Sequence, residues 1–401
     1  MNVIFLTVSR ITSIKGRGIY SDLLRHFRDK GHNVYVVSPR ERQFNMSTSL
    51  MKEDGINILG VRTLNIQKTN FLEKGIGTIL LENQFTKAIK KYFKGIPFDL
   101  ILYSTPPITL VNVIRALKRN NPNAVSYLLL KDIFPQNAVD LGMFSEDGIL
   151  YKFFRKKEIS LYKVSDYIGC MSPANVDFVL KHNAFLDAEK VEVAPNSIEL
   201  PVSDTDFDRN EIREKYGIPK DKVVFIYGGN LGKPQGIDFL ISCLDANKGR
   251  GDCHFLVVGN GTEFHKLETW FKEVVPQNAS LFAGLPKKEY DLLVKSCDVG
   301  LIFLDYRFTI PNYPSRLLSY LENRMPIIAA TDINTDIGEI AEQNKYGYKC
   351  ESNDVAAFSD CVDKFVKHPE VIKDMGENGY QYLLGHYLVK CTYEKIISRV
   401  S

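Results

Sequence analysis

The sequence predicts an α/β protein built from two tandem, doubly wound parallel-sheet domains. Short β-branched or apolar runs alternate with helix-period segments along most of the chain, and the alternation starts afresh after a linker-like stretch in the middle. At 401 residues the chain is also too long for one ordinary core.

In the first half, NVIFLTVS (2–9) is rich in Val and Ile, as expected of a strand buried on both faces, and reads as structure rather than as a leader. IYSDLLRHFRDKGH follows, with Ile19, Leu23, Leu24 and Phe27 at helical spacing and Gly31 at its end. Further strands are predicted at 33–39, 98–104, 124–130, 166–172 and 190–196. The second half repeats the scheme with strands at 222–229, 253–261, 279–284, 299–305 and 325–331, and a helix within YPSRLLSYLEN (313–323). The segment ELPVSDTDFDRN carries the composition of a linker, and from Asp354 onward only helices are predicted. The expected division is 1–197, 198–385, and a final helix at 386–401 returning to the first domain.

Composition, 44% hydrophobic and 25% charged, fits a globular protein, and no run nears the ~20 apolar residues that span a bilayer. The seven cysteines are dispersed with no CxxC pair, which argues for reduced thiols in the cytosol, without zinc or disulfides. Residues 1–197 hold 27 Lys and Arg against 18 Asp and Glu, a balance of +9, and the remainder stands at −6. A basic first half suggests an anionic partner: nucleic acid, a phosphate-rich acceptor or a membrane surface. Ordinary surface charge without a partner is the plain alternative.

Tandem open α/β sheets place ligands at the carboxyl ends of their strands, and the cleft between two such domains is the default active site. Three loops there carry candidate chemistry. Gly16 and Gly18, flanked by Lys15 and Arg17, permit close backbone approach of a phosphate at a helix start. The third glycine of a dinucleotide fingerprint is absent, since Ser21 stands in its place, which disfavours an NAD oxidoreductase. YGGNLGKPQG (227–236) supplies Gly228, Gly229, Gly232 and Gly236 for wrapping a pyrophosphate, with Lys233 as the charged group. A flexible turn is its plain alternative. In the third loop Ser315 is expected to cap a helix beginning near Arg316, whose guanidinium and backbone N–H groups would meet an anion together. Thr335 and Asp336 offer another capped helix start at 331–340. Asp204, Asp206 and Asp208 form a DxDxD series in the linker and are expected to bind no metal. LYKFFRKKEISLYK (150–163) mixes aromatic and basic residues as a helix resting on an anionic membrane surface would, or as one packed on its own sheet.

GNLGKPQG followed by PSRLLSYLENRMPIIA resembles the nucleotide-sugar domain of glycosyltransferase family 4. KGHNVYVVSP, VAPNSIE, VVGNGTE and LFAGLPKKEYDLLVKSCDVGLIFL follow that family's order, so the resemblance covers most of the chain. It is nearest to enzymes of bacterial capsule and O-antigen assembly, such as transferases of N-acetyl-L-fucosamine. The resemblance implies a GT-B fold and retaining transfer from a UDP-sugar to a polyprenyl-diphosphate-linked saccharide. It implies a cytoplasmic enzyme at the inner membrane face, without metal cofactor and without nucleic acid. Asn230 and Gln235 stand where the family places a diphosphate-clamping Arg and Lys, and its paired glutamates fall on Pro311 and Ser319. Arg316, typical of the PSK/PSR branch, becomes the diphosphate candidate. LLLKDIFPQNAVDLGMF resembles the branch's D-(L/I)-(W/F)-P segment, making Asp132 the candidate base for an acceptor hydroxyl, or else a helix cap before Pro135. The alternatives are a UDP-sugar epimerase and an inactive sugar-nucleotide-binding subunit.

Overall fold

Continuous apolar runs become central strands because both faces of each must be covered by helices. The structure is a computed structural model that describes residues 1–66, 71–201 and 207–400, with the backbone alone for 71–76. It divides into two units, Met1–Glu199 with Tyr387–Ser401, and Leu200–His386.

In the first unit the elements run β1 (Asn2–Leu6), α1 (Ile19–Asp29), β2 (Asn33–Glu41), β3 (Ser49–Glu53), β4 (Ile56–Thr63), α2 (Phe71–Tyr92) and β5 (Leu100–Ser104). They continue α3 (Val111–Asn120), β6 (Val125–Leu129), α4 (Gln136–Asp140), α5 (Ile149–Val164), β7 (Tyr167–Cys170), α6 (Pro173–His182) and β8 (Val191–Val193). The sheet order is β3-β4-β2-β1-β5-β6-β7-β8, parallel except for the β3–β4 pair. That hairpin, and β4's parallel register of Tyr35 with Asn57, are additions to the strands predicted from sequence. Phe5, Leu24, Phe27, Val34 and Leu102 form a core with Val389 and Ile396 of the chain's last helix.

In the second unit the elements are α7 (Arg209–Lys215), β9 (Val223–Asn230), α8 (Ile237–Asn247), β10 (Cys253–Asn260), α9 (Phe264–Val274), β11 (Ala279–Phe282), α10 (Lys287–Lys295) and β12 (Val299–Phe303). Then come α11 (Arg316–Glu322), β13 (Ile327–Thr331), α12 (Ile337–Gln343), β14 (Gly347–Glu351), α13 (Val355–Lys367) and α14 (Val371–His386); α15 (Val389–Ile397) belongs to the first unit. The six strands are parallel in the order β11-β10-β9-β12-β13-β14, and β14 is likewise an addition. Phe225, Phe255, Phe303 and Phe358 fill the core on one face.

Of the DxDxD series, Asp204 and Asp206 lie outside the described residues. Asp208 caps α7, accepting from the Asn210 N–H at 2.7 Å. Six of the seven cysteines are buried. Among the described residues no helix is long and apolar enough to cross a membrane.

Candidate active site

In the second unit β9 and β12 are neighbours, and the chain leaves them toward opposite sides of the sheet, so their carboxyl ends border a crevice. The glycine loop emerges from β9 there, and the segment leading to Arg316 emerges from β12.

Three tyrosines shape this crevice. Tyr227, the last large residue of β9, is fully buried and donates its hydroxyl to Asn230 O at 2.8 Å. Tyr320 of α11 accepts from the Gly228 N–H at 3.3 Å, with Ile226 O at 3.1 Å. Tyr290 of α10 crosses so close that a Cβ on Gly228 would fall 1.9 Å from its hydroxyl. Burial pushes the Tyr290 phenol up to about 12 against the opposing pull of Arg316.

Arg316 lies among them, its guanidinium 4.3 Å from the centre of the Tyr227 ring. Its Nη1 is buried without a hydrogen-bond partner, and among the described residues no carboxylate pairs with it. A buried N–H of a charged group left without an acceptor is costly. Gly229, at φ 127°, brings the loop backbone against this group, where a Cβ would lie 3.5 Å from Nη2. The arrangement is a cationic site on an aromatic floor, with no carboxylate paired to it among the described residues.

Asn230 and Gln235 are brought together but engage each other, Nδ2 to Oε1 at 2.8 Å, while Gln235 Oε1 also accepts from Gly232 N at 3.2 Å. They brace the loop. Lys233 is exposed at its tip and has no ion-pair partner among the described residues.

Two caps expected from sequence do not form. Ser315 does precede α11, but its backbone is already helical, φ −66° and ψ −14°, and its side chain makes no cap hydrogen bond. A capping side chain reaches back only from an extended residue. Asp336 at φ −90° and ψ 0° fails to cap α12 for the same reason. Thr335 instead donates its hydroxyl to Asn312 O, and its N–H donates to Asp332 Oδ1 at 3.0 Å. The first bond ties down the loop before α11, as does Asn334 Nδ2 donating to Phe308 O at 2.7 Å, and the second closes the turn after β13. Ser319 is half-buried on α11 and its carbonyl accepts from Asn323 Nδ2 at 2.7 Å.

The remaining candidates belong to the first unit. A Cβ on Gly16 or Gly18 would meet nothing within 4 Å, so space beside this loop is open. Its donors are nonetheless engaged internally: Gly18 N–H with Asp22 at 2.9 Å, Ile14 N–H with Glu53 at 2.6 Å, and Arg17 with Glu199 O at 2.6 Å.

Asp132 follows β6. Thr105 Oγ1 accepts from the N–H groups of Lys131 at 2.9 Å and Asp132 at 3.2 Å, fixing the turn. The Asp132 carboxylate accepts from Asn137 Nδ2 at 2.9 Å. Burial raises its pKa to about 6, with that hydrogen bond opposing. It is no helix cap, because Pro135 holds the position before α4. Lys131 was not visible as a candidate in the sequence. Its Nζ donates to Ala194 O at 2.9 Å, and burial lowers its pKa to about 7.

Tyr227 and Tyr290 are likewise invisible to motif reading. Tyr227 directly precedes the glycine pair, a position that could have flagged it, whereas nothing local marks Tyr290 of α10, whose partner Gly228 lies on β9, distant in sequence.

Comparison with known proteins adds chemistry to this geometry. Residues 208–382 match the family model described as glycosyl transferases group 1. A probable glycosyltransferase WbjE of Pseudomonas aeruginosa is 24% identical over 303 residues, 74% of this chain and 73% of that protein. Among solved structures, sucrose-phosphate synthase of Thermosynechococcus elongatus superposes with a TM-score of 0.77 at 14% identity, covering 100% of this chain and 98% of that one. Anabaena Alr3699/HepE in complex with UDP gives 0.68 at 14% identity, covering 100% and 99%. The fold is GT-B, and the family match with its glycosyltransferase relatives supports transferase activity: the protein is an enzyme of the glycosyltransferase class.

Proposed function

We propose that this enzyme transfers a sugar from a UDP-sugar, with retention of anomeric configuration, to a polyprenyl-diphosphate-linked saccharide in the assembly of a bacterial capsule or O-antigen. The observation that carries the reading is the half-buried Arg316, whose Nη1 is itself buried and without a hydrogen-bond partner. A nucleoside diphosphate supplies the anion the pocket lacks, and Alr3699/HepE, of the same fold, holds UDP. As the C1–O bond to the diphosphate breaks, negative charge grows on the leaving group. Arg316, Lys233 and backbone N–H groups would stabilise it without a metal ion. Asp132 would orient the acceptor hydroxyl and take its proton as the new C1–O bond forms.

A lipid-linked acceptor agrees with the basic first half. It also agrees with α5, whose N-terminal corner leaves Ile149 87% exposed, beside exposed Leu150, Phe153, Lys152 and Lys156. Apolar residues rimmed by lysines suit peripheral contact with an anionic leaflet.

The test is incubation of the full chain with UDP-sugars and a polyprenyl-diphosphate-linked N-acetylglucosamine, with and without magnesium. The expected product is an extended lipid-linked saccharide bearing the donor's anomeric configuration, formed equally in both. Free epimer from donor alone would replace transfer by epimerisation, and binding of donor with no turnover would make the chain a binding subunit.

A further inference from the structure

A second cavity, of about 400 Å³, opens in the same unit beside the start of α8, and neither Arg316 nor the Gly229–Asn230 turn lines it. Its charged groups are already paired. Lys266 Nζ lies 2.8 and 2.9 Å from the two oxygens of Asp238 and 2.7 Å from Glu263. Arg307 engages Asp305 through two bonds of 2.8 Å, fork to fork. These carboxylates keep lone pairs, and the cations keep N–H groups, but their charges cancel. Lys233 at the rim is the exception.

Two further features point to a ligand. Ser352 lines the cavity at 1% exposure, and its hydroxyl is buried without a hydrogen-bond partner. Tyr306 lines it too and is 57% exposed, an uncommon degree for a large aromatic ring.

We propose that this cavity is a binding site for an uncharged saccharide ring, distinct from the site around Arg316 although Lys233 stands at the rim of it. Vicinal hydroxyls each donate and accept, and alternating fixed donors and acceptors match them. The apolar face of a pyranose would lie on Tyr306, an amphipathic platform. A small anion is the poorer fit, since it would meet three carboxylates for one unpaired lysine. The volume lies within the range of small-ligand pockets, ~300–1,000 Å³. The site does not depend on the transferase reading.

The experiment is ligand-observed NMR and calorimetry on the full chain, without nucleotide, using methyl glycosides of glucose and N-acetylglucosamine, a glucose trisaccharide, and inorganic phosphate. Both pocket variants, Tyr306→Ala and Asp238→Asn, change partly exposed groups and are expected to weaken saccharide binding at least about tenfold. Arg316→Ala is expected to leave it unchanged, phosphate is expected not to compete, and UDP is expected to bind both pocket variants as the parent chain. A trisaccharide preferred over monosaccharides assigns the site to a glycan chain, and equal binding assigns it to a single sugar. Absence of saccharide binding by the parent chain overturns the proposal. So does loss of binding in Arg316→Ala with retention in the pocket variants, or competition by phosphate. Saccharide binding that survives a failure to bind UDP would leave this site standing and remove the diphosphate reading instead.

Discussion

Arg316 is held in place by an aromatic ring instead of a carboxylate, and that choice has measurable consequences. A hydrogen bond to a charged group is worth about 1.5–3 kcal/mol, so Arg316→Ala should weaken UDP binding about 10- to 100-fold and uridine binding far less. Calorimetric titration of both ligands separates the two effects. Arg316→Lys should not restore UDP binding, because an ammonium lacks the planar fork that stacks on Tyr227. At Asp132, a pKa raised to about 6 means that the base form appears as pH rises through 6. Turnover should therefore climb across that interval. Asp132→Asn should remove the climb and lower kcat about 10²- to 10⁴-fold with donor affinity unchanged, measured as initial rates against pH. The same shift makes Asp132 favour the fold most at low pH, a contribution lost as pH rises through its folded value. Lys131 runs the other way: its pKa near 7 in the fold lies below the free value of 10.5, so stability should grow as pH rises from 7 toward 10. Arg316 and Asp132 were singled out from sequence because each lies in a motif. Lys131 and Tyr290 were not, since what distinguishes them is burial and a partner distant in sequence.

At the scale of elements, strands buried on both faces declare themselves by composition, and β1, β5, β9 and β12 were all readable. Edge strands are half polar and do not. SLMKE of β3 and GYKCE of β14 alternate weakly, and β4 followed β3 out of sight. The signal for the β3–β4 hairpin was nevertheless present in Asp54–Gly55, both at positive φ, 46° and 83°. Helix starts were located better than their capping chemistry: Ser315 and Asp336 occupy the right positions with the wrong backbone angles. The pairing of β9 with β10 imposes a sharper constraint. Gly259 lies opposite Gly229, and a Cβ there would sit 1.9 Å from the Gly229 carbonyl oxygen. Gly259→Ala must push the two strands apart at the loop that meets Arg316. It is expected to destabilise the second unit by about 1–3 kcal/mol, as overpacking does, and to weaken UDP binding, read by thermal melts and titration.

For the whole molecule, the chain's end is part of its beginning. After His386 it re-enters the first unit, where Ile198 bridges Leu388, and α15 buries Val389 and Ile396 against Phe27 and Val34. His32 Nε2 and the Tyr393 hydroxyl share a hydrogen bond of 2.8 Å, and Arg399 binds Glu192 at 2.9 Å. Truncation after His386 should destabilise the first unit by at least about 3 kcal/mol, the value of burying two such side chains. Urea denaturation should show it, with UDP binding by the second unit retained. The exposed corner of α5 predicts a further property of the intact chain. The double change Ile149→Ser and Leu150→Ser should reduce co-sedimentation with anionic phospholipid vesicles while leaving the thermal melt unchanged, because neither side chain is buried. Sequence alone resolved the tandem α/β plan because periodicity is a local property.

The account turns on whether the pocket around Arg316 holds a nucleoside diphosphate. The most direct measurement is calorimetric titration of UDP, beside GDP and ADP, into the parent chain and Arg316→Ala, with and without magnesium. The account predicts selective, magnesium-independent UDP binding by the parent chain that is lost in the variant. Absence of UDP binding, or equal binding by both proteins, would contradict it.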